Sequence, residues 1–336
     1  MHKIIEVSSN IHNYTVEFTD DIFEIKNIIE ESNTITILDE NVAKLYPQLK
    51  SEIIISSTED AKTLKGAEKL LELISARRAN INTKLVAIGG GIMQDLVGFC
   101  ASVYARGIEY ILVPTTLLAQ ADSCVGGKTS INLNNKKNII GTFYPPSKII
   151  IYTEFLKTLS NKDFLSGFGE IYKFKILQGK INEFNIEDDI ENAILDSLSY
   201  KISVLIKDEF DKGERKFLNY GHTFGHALES ISNYKIPHGL AVIIGCMISS
   251  RIARGLNYNV KDYQTIIDYG VDIIKRSKIS VNSEWFDLDS LLEIIKSDKK
   301  STGKLTMVLI DDNPFLENIE NYSILRESLK NTYESI

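Results

Sequence analysis

The run Val86-Ala87-Ile88-Gly89-Gly90-Gly91-Ile92-Met93-Gln94-Asp95 constrains the fold of this chain more than any other stretch. It reads as a buried apolar strand that breaks into three glycines and continues as a helix. Glycines in series let backbone approach a ligand with no Cβ in the way. The helix that follows aims its unpaired N–H groups and the positive end of its dipole at that point, so phosphate or pyrophosphate is the expected occupant. Asp95 lies one turn on, placed to hydrogen-bond a ribose or ring hydroxyl. The spacing is G-G-G-x-x-x-D and not G-x-G-x-x-G, and such a turn can also stand with no ligand.

Around this turn, short β-rich runs alternate with helical patterns. Thr34 to Leu38 is a predicted strand leading to a helix start at Asp39. Ile53 to Ile55, Leu85 to Ile88, Tyr110 to Val113 and Ile149 to Tyr152 are further strands, with helices over 63–76 and 96–104. That alternation implies a parallel α/β sheet that takes ligands at the strand C-termini. From about Leu156 helical periodicity dominates, over 190–204, 223–231, 241–253, 263–274 and 291–296, with one late strand from Leu305 to Ile310. Two domains are expected, 1–157 and 158–336, tightly apposed around a cleft. A chain of 336 residues supplies each with material for a core.

Composition narrows the function. A net charge of −7 argues against a general nucleic-acid surface. Cys100, Cys124 and Cys246 are far apart and odd in number, so neither a disulfide framework nor a cysteine-based zinc site follows, and a reducing compartment is expected. The N-terminus lacks the apolar stretch of a signal peptide, and no segment approaches the roughly 18 uncharged apolar residues of a membrane span. The expectation is a cytoplasmic protein with neither membrane nor nucleic-acid partners.

His222, His226 and His238 fall within seventeen residues, flanked by glycines and Asn219. Spacing alone pairs His222 with His226, one helical turn apart on one face, as metal ligands. An isolated pair of this kind is as readily a surface feature, and the glutamate of a zincin helix is missing. Glu170 can complete a set of three ligands with an open position. A second constellation is basic. Gly126-Gly127-Lys128-Thr129 resembles the tail of a phosphate loop, but Asp122 stands where the first glycine of a Walker A motif belongs. Arg106, Lys137 beside Asn138, Lys173, Lys201, Arg215, Lys299 and Lys300 are spread along the chain. Any one alone is more readily a solvated surface group. In an acidic protein, basic residues beside glycine, asparagine or histidine suggest an anionic small substrate.

Together these motifs closely resemble the 3-dehydroquinate synthase family of sugar-phosphate cyclases. The resemblance runs from about Asp39 to Leu309. It is carried by G-G-G-I-M-Q-D-L-V-G-F from Gly89, P-T-T-L-L-A-Q-A-D-S-C-V-G-G-K-T from Pro114, K-K-N-I-I-G-T-F-Y-P-P from Lys136, G-E-I-Y-K ending at Lys173, and L-N-Y-G-H-T-F-G-H-A from Leu218. It implies a Rossmann-like NAD-binding domain followed by an α-helical metal-binding domain. It implies NAD and one divalent metal, zinc or alternatively cobalt. By this resemblance Glu170, His222 and His238 match the metal ligands, which moves His226 from the metal to the substrate side. Asp39, Glu59, Lys62, Gly89, Gly90, Gly91, Asp95, Thr115 and Thr116 match the NAD positions. Asp122, Lys128, Lys137, Asn138, Lys173, Lys201, Arg215, Asn219 and His226 match substrate and catalytic positions, and one of Lys299 and Lys300 a further substrate lysine. Arg106 matches an arginine that reaches the neighbouring subunit's substrate phosphate, which implies a homodimer.

The chain departs from the family pattern at Leu240, where a glutamate is usual after His-Gly, and at Asp211, where glutamate is more frequent. An alkyl chain at 240 alters the expected carboxylate support of the ligands. The implied reaction converts 3-deoxy-D-arabino-heptulosonate 7-phosphate to 3-dehydroquinate and phosphate, with NAD recycled. The alternatives are another sugar-phosphate cyclase, a metal- and NAD-dependent polyol or glycerol-phosphate dehydrogenase, and a non-catalytic NAD-binding homologue.

Overall fold

A computed structural model describes residues 3–134, 136–183, 189–298 and 305–336. Lys299 and Lys300 lie outside the described residues. The chain divides into two compact units, Met1–Leu159 and Ser160–Ile336.

The first unit contains, in order, β1 (Lys3–Val7), β2 (Tyr14–Phe18), α1 (Ile22–Ile29), β3 (Thr34–Asp39), α2 (Glu40–Leu45), β4 (Ile53–Ile55), α3 (Leu64–Ala76), β5 (Lys84–Gly89), α4 (Gly91–Val103), β6 (Tyr110–Pro114), β7 (Lys128–Leu133), β8 (Lys136–Phe143) and β9 (Lys148–Ile151). Among the described residues, seven strands form one sheet in the order β1-β2-β9-β6-β5-β3-β4. All neighbours are parallel except β1 and β2. β3, β5 and β6 are apolar runs buried almost end to end, as strands covered on both faces must be. From β3 the chain passes to β4 on one side, while β5 lies on the other side and leads on to β6. Strand order therefore reverses between β3 and β5, and such a reversal opens a crevice at the strand C-termini. Asp39 ends β3 and Gly89 ends β5, one on each side of it.

Two features of this unit escape the periodicity reading. The antiparallel β1–β2 pair and the separate β7–β8 hairpin are partly exposed, and β8 is exposed along its first half. Short or partly exposed strands of this kind carry no long apolar run. The helix after the glycines also starts at Gly91, a full turn before the expected Leu96.

The second unit holds α5 (Asn161–Leu177), α6 (Ile190–Lys207), α7 (His222–Ile231), α8 (His238–Gly255), α9 (Tyr263–Ser277), α10 (Leu288–Asp298), β10 (Leu305–Asp311), β11 (Asn313–Ile319) and α11 (Tyr322–Ser335). α8 is buried without interruption from Gly239 to Ser250, the mark of a helix enclosed by others. It packs against α5, α7, α9 and α11. The expected single late strand is in fact an antiparallel hairpin, Leu305 facing Ile319. Its second strand holds Pro314 and is mostly solvent-facing, so it lacks the apolar run that marks β10. Among the described residues no helix is long and apolar enough to cross a membrane.

Candidate active site

In the second unit α5 and α8 meet backbone to backbone. A Cβ on Gly169 would lie 2.1 Å from the Gly239 carbonyl oxygen, and one on Gly239 1.7 Å from that of Ser166. The Gly239 N–H donates to Ser166 Oγ at 3.1 Å. α7 crosses α8 as closely, since a Cβ on Gly245 would lie 1.9 Å from the Gly221 oxygen. Gly221, which precedes α7, also sits at φ +77°, a left-handed conformation that favours glycine.

These crossings bring Glu170 of α5, His222 of α7 and His238 of α8 together. Glu170 Oε1 lies 3.2 Å from His238 Nε2 and 3.4 Å from His222 Nε2. One donor atom from each of the three falls within 4.8 Å of the others. Two imidazoles and a carboxylate are the donor set of an open divalent-metal site, so the residues present fit such an ion. Glu170 is fully buried. Burial by itself would raise its pKa, but the Lys173 ammonium, which pairs with it, and the His222 and His238 rings together hold it well below the ordinary carboxylate range. Desolvation opposes charge on His238 too, yet hydrogen bonds to Glu170 and Glu229 raise its pKa to about 10. The field that holds a proton there is the field that attracts a cation.

Spacing alone had made His222 and His226 the pair. The structure instead groups His222 with Glu170 and His238, and puts His226 in a second group with Glu229 and His238. The His226 ring stands edge-on to His222, centres 5.1 Å apart. Part of the residue is exposed, but desolvation of its ring and the neighbouring His222 and His238 lower its pKa to about 3, so it is neutral at pH 7.

Glu229 went unnoticed in the sequence. Its Oε2 lies 3.0 Å from His238 Nδ1, the ring nitrogen turned away from Glu170. Nothing local flags it, because its partner is nine residues on and on another helix. Leu240 is wholly buried in α8, and the carboxylate that meets His238 comes from α7.

Three basic side chains of this unit are withdrawn from solvent: Lys173 at 2%, Arg215 at 5% and Lys201 at 7% exposure. Cations are almost never buried unless partnered, so burial separates these from ordinary surface lysines. Arg215 lies in the 3-10 turn Glu214–Asn219. Its guanidinium donates to the Glu209 carbonyl. Asp208 shapes that loop by accepting from the N–H groups of Lys212, Gly213 and Arg215 at 2.9, 2.7 and 3.0 Å. These bonds lower its pKa, so it is a loop anchor and more than an exposed acidic residue. Asp211 sits nearby at φ +59°. Asn219 is exposed.

In the first unit the glycine turn opens α4 at the end of β5. Gly90 has φ −80°, so its need is room and not a left-handed backbone. A Cβ there would lie 3.0 Å from Thr116 Cγ2, and one on Gly89 only 2.4 Å from Met93 Cγ. Gly91 has more space, its nearest neighbour being Ser123 Oγ at 3.6 Å. A cradle that a side chain would fill, at the positive end of a 13-residue helix, fits the pyrophosphate of a dinucleotide. Thr115 donates its N–H to the Gly89 oxygen, and Thr116 Oγ1 accepts from Ala119. Asp39 caps α2, its Oδ1 accepting from Asn41 and Val42.

Beside the turn, Lys62, at 5% exposure, donates to Asp95 Oδ2 at 2.5 Å and to Asn138 Oδ1 at 2.6 Å. Burial raises the pKa of Asp95 against the pull of Lys62. Lys137 pairs with Glu59 at 2.9 Å. Burial of Glu59 is outweighed by Lys137 and Asn132, and its pKa is lowered. Four residues expected in separate cofactor and substrate roles thus form two adjoining pairs, Lys62 with Asn138 and Glu59 with Lys137. Asp122 lies in the π-helical turn Ala119–Ser123, and Lys128 is exposed at the start of β7. Arg106 is exposed and left-handed at φ +70°.

Comparison with known proteins gives consistent matches. The family model described as 3-dehydroquinate synthase N-terminal matches residues 52–166, and that described as 3-dehydroquinate synthase C-terminal matches 167–301. A 3-dehydroquinate synthase of Alkaliphilus metalliredigens is 36% identical over 306 residues, covering 84% of this chain and 85% of that protein. One of Thermoanaerobacter pseudethanolicus is 34% identical over 335 residues, covering 91% and 93%. Among solved structures, a 2-deoxy-scyllo-inosose synthase complexed with carbaglucose-6-phosphate, NAD+ and Co2+ is similar with a TM-score of 0.83 and 25% identity, over 98% of this chain and 100% of that one. A 2-epi-5-epi-valiolone synthase from Streptomyces hygroscopicus with NAD+ and Zn2+ bound shares the fold, with a TM-score of 0.79 and 21% identity over 98% and 99%.

Proposed function

This chain belongs to the 3-dehydroquinate synthase family, and from that premise we propose that it converts 3-deoxy-D-arabino-heptulosonate 7-phosphate to 3-dehydroquinate and phosphate, with NAD and one divalent metal, zinc or cobalt. The observation that carries this reading is the convergence of Glu170, His222 and His238 donor atoms within 4.8 Å, beside the buried Lys173. When bound, the metal supplies Lewis acidity to a substrate hydroxyl and NAD supplies a reversible hydride acceptor.

The residues do the holding. Glu170, His222 and His238 are the metal ligands of this reading, and Glu229 orients His238 through Nδ1. Gly90, Gly91 and the first turn of α4 receive the pyrophosphate, with Asp39, Glu59, Lys62, Asp95, Thr115 and Thr116 as its neighbours. Asn138 Oδ1 already accepts from Lys62 and from Ser130 Oγ, so its amide nitrogen is the group it offers to an anion. Lys128, Asn138, Arg215 and His226 are the phosphate donors of this reading; several charge-assisted bonds suit a phosphate that must leave as an anion. Lys173 and Lys201 position the carboxylate or hydroxyls, and Asp122, Lys137 and Asn219 are further substrate contacts. Arg106 serves the substrate phosphate of a second copy in a homodimer, a role supported by its exposure.

The test is phosphate release from the heptulosonate phosphate with NAD and zinc added back. Release with no net NADH is the expected result. Net NADH accumulation would point to a dehydrogenase, and release from a different sugar phosphate alone to another cyclase.

Two narrower outcomes follow. Gly90→Val puts a branched side chain against Thr116 and into the cofactor cradle, and is expected to weaken NAD binding by about two orders of magnitude. Calorimetric titration of the folded variant reads it, and unchanged affinity removes the glycine turn from the NAD site. Glu229→Gln leaves the three ligands in place but strips the anion from His238 Nδ1. Metal affinity, measured by chelator competition, is expected to fall about 10- to 100-fold; wild-type affinity would leave Glu229 with no part in the site.

A further inference from the structure

The β7–β8 hairpin is irregular where its site residues lie. Ile131 faces Ile140, but the next pair is Leu133 with Lys136. One residue of β7, Asn132, therefore opposes three of β8, Lys137 to Ile139. Two extra residues in one strand bend it and re-aim its side chains, and Asn138 takes a left-handed φ of +56°.

Asn132 closes this bulge with its own amide. Its Oδ1 accepts from the Asn138 N–H at 3.0 Å, and its Nδ2 donates to Glu59 Oε2 at 2.8 Å. The backbone N–H of Asn132 donates to the Lys62 carbonyl at 2.8 Å, and Asn132 forms a parallel bridge with Thr63. The side chain thus joins the bulge bearing Lys137 and Asn138 to the loop bearing Glu59 and Lys62. Glu59 shares its carboxylate between Asn132 through Oε2 and Lys137 through Oε1.

We propose that Asn132 is a positioning residue, a two-armed brace that sets the cofactor-side pair Glu59 and Lys62 and the substrate-side pair Lys137 and Asn138 from one amide. This rests on the roles given to those four residues under the proposed function. The arms are separable. Asparagine to alanine removes both. Asparagine to aspartate keeps an acceptor for the Asn138 N–H but sets a carboxylate against Glu59.

The test compares Asn132→Ala and Asn132→Asp in the full chain with zinc, reading NAD affinity by titration, and kcat and KM for the heptulosonate phosphate. Amide exchange of ligand-free protein is followed at Asn138. N132A is expected to raise both the NAD Kd and the substrate KM about tenfold, the size of one lost hydrogen bond on each side. It should also speed exchange at the Asn138 amide. N132D is expected to raise the NAD Kd alike while KM stays within about twofold of wild type, and to keep the Asn138 amide protected. A role in folding alone would not split the two constants. NAD and substrate constants both within about twofold of wild type in N132A overturn the brace, as does an Asn138 amide that exchanges no faster. If N132A fails to fold, N132D decides alone: selective loss of NAD supports the brace, and equal loss of both overturns it. A wild-type chain that binds no NAD, with a faster-exchanging Asn138 amide in N132A, overturns the proposed function and leaves the brace standing.

Discussion

Glu170→Gln is expected to abolish metal binding and to lower kcat by at least about a thousandfold, because a Lewis acid contributes several kcal/mol to the transition state. The substitution keeps the side-chain volume, so loss of packing does not enter. It removes the only carboxylate among the three grouped ligands and leaves the Lys173 ammonium, 2% exposed, facing a neutral amide. Breaking one side of a buried ion pair costs about 3–5 kcal/mol, so lowered thermal stability is expected as well. A double variant separates the two effects. Glu170→Gln with Lys173→Met removes both charges and should recover much of the stability but none of the metal. Metal analysis after dialysis, a melting curve and the phosphate-release assay report the three outcomes. Stoichiometric zinc in the single variant would falsify the assignment of Glu170 as a ligand.

The second large effect is expected at Gly239, and it acts through backbone alone. Its added Cβ would lie 1.7 Å from the Ser166 oxygen and 2.7 Å from its carbonyl carbon. These are main-chain atoms of α5, which cannot swing aside as a side chain can. Gly239→Ala must push α5 from the start of α8, at a cost of about 3 kcal/mol or more, the upper end for overpacked interiors. The same displacement draws Glu170 away from His238, so surviving folded protein should bind metal weakly. Gly169→Ala, whose Cβ would meet Gly239 from the other helix, should act in the same direction. A Gly239→Ala protein with wild-type melting temperature and metal affinity would mean that the helices have room to spare.

Much of the architecture was legible because it rests on local rules. Buried parallel strands are continuous apolar runs, so β3, β5 and β6 announce themselves. What failed was local in the opposite sense. β1, β2 and β11 are hairpin strands in which polar residues interrupt the apolar ones, with Ile4 and Leu316 themselves exposed, so none reads as a continuous apolar run. β8 was hidden by its lysines and asparagine, the very residues that make it part of the site.

The site divides along the same line. Residue types and motif order carried the resemblance to the family, and with it the grouping of Glu170, His222 and His238. Spacing by itself chose His226, because the i,i+4 rule sees one helix at a time. His238 joins Glu170 and His222 through the Gly221–Gly245 and Gly169–Gly239 crossings, contacts between residues far apart in the chain. Glu229 and Asn132 belong to no motif named from the sequence.

By itself, then, the sequence determined the two-part fold, the glycine turn that opens α4 and the chemical types available for a metal and an anionic substrate. These depend on periodicity, backbone sterics and side-chain chemistry, which act over a few residues. Only the tertiary structure decided which carboxylate meets the far side of His238, which lysines are withdrawn from water and which amide braces the bulge at Asn138. Those depend on how closely two backbones approach and on what each approach desolvates. That distance is set by the packing of segments far apart in the chain.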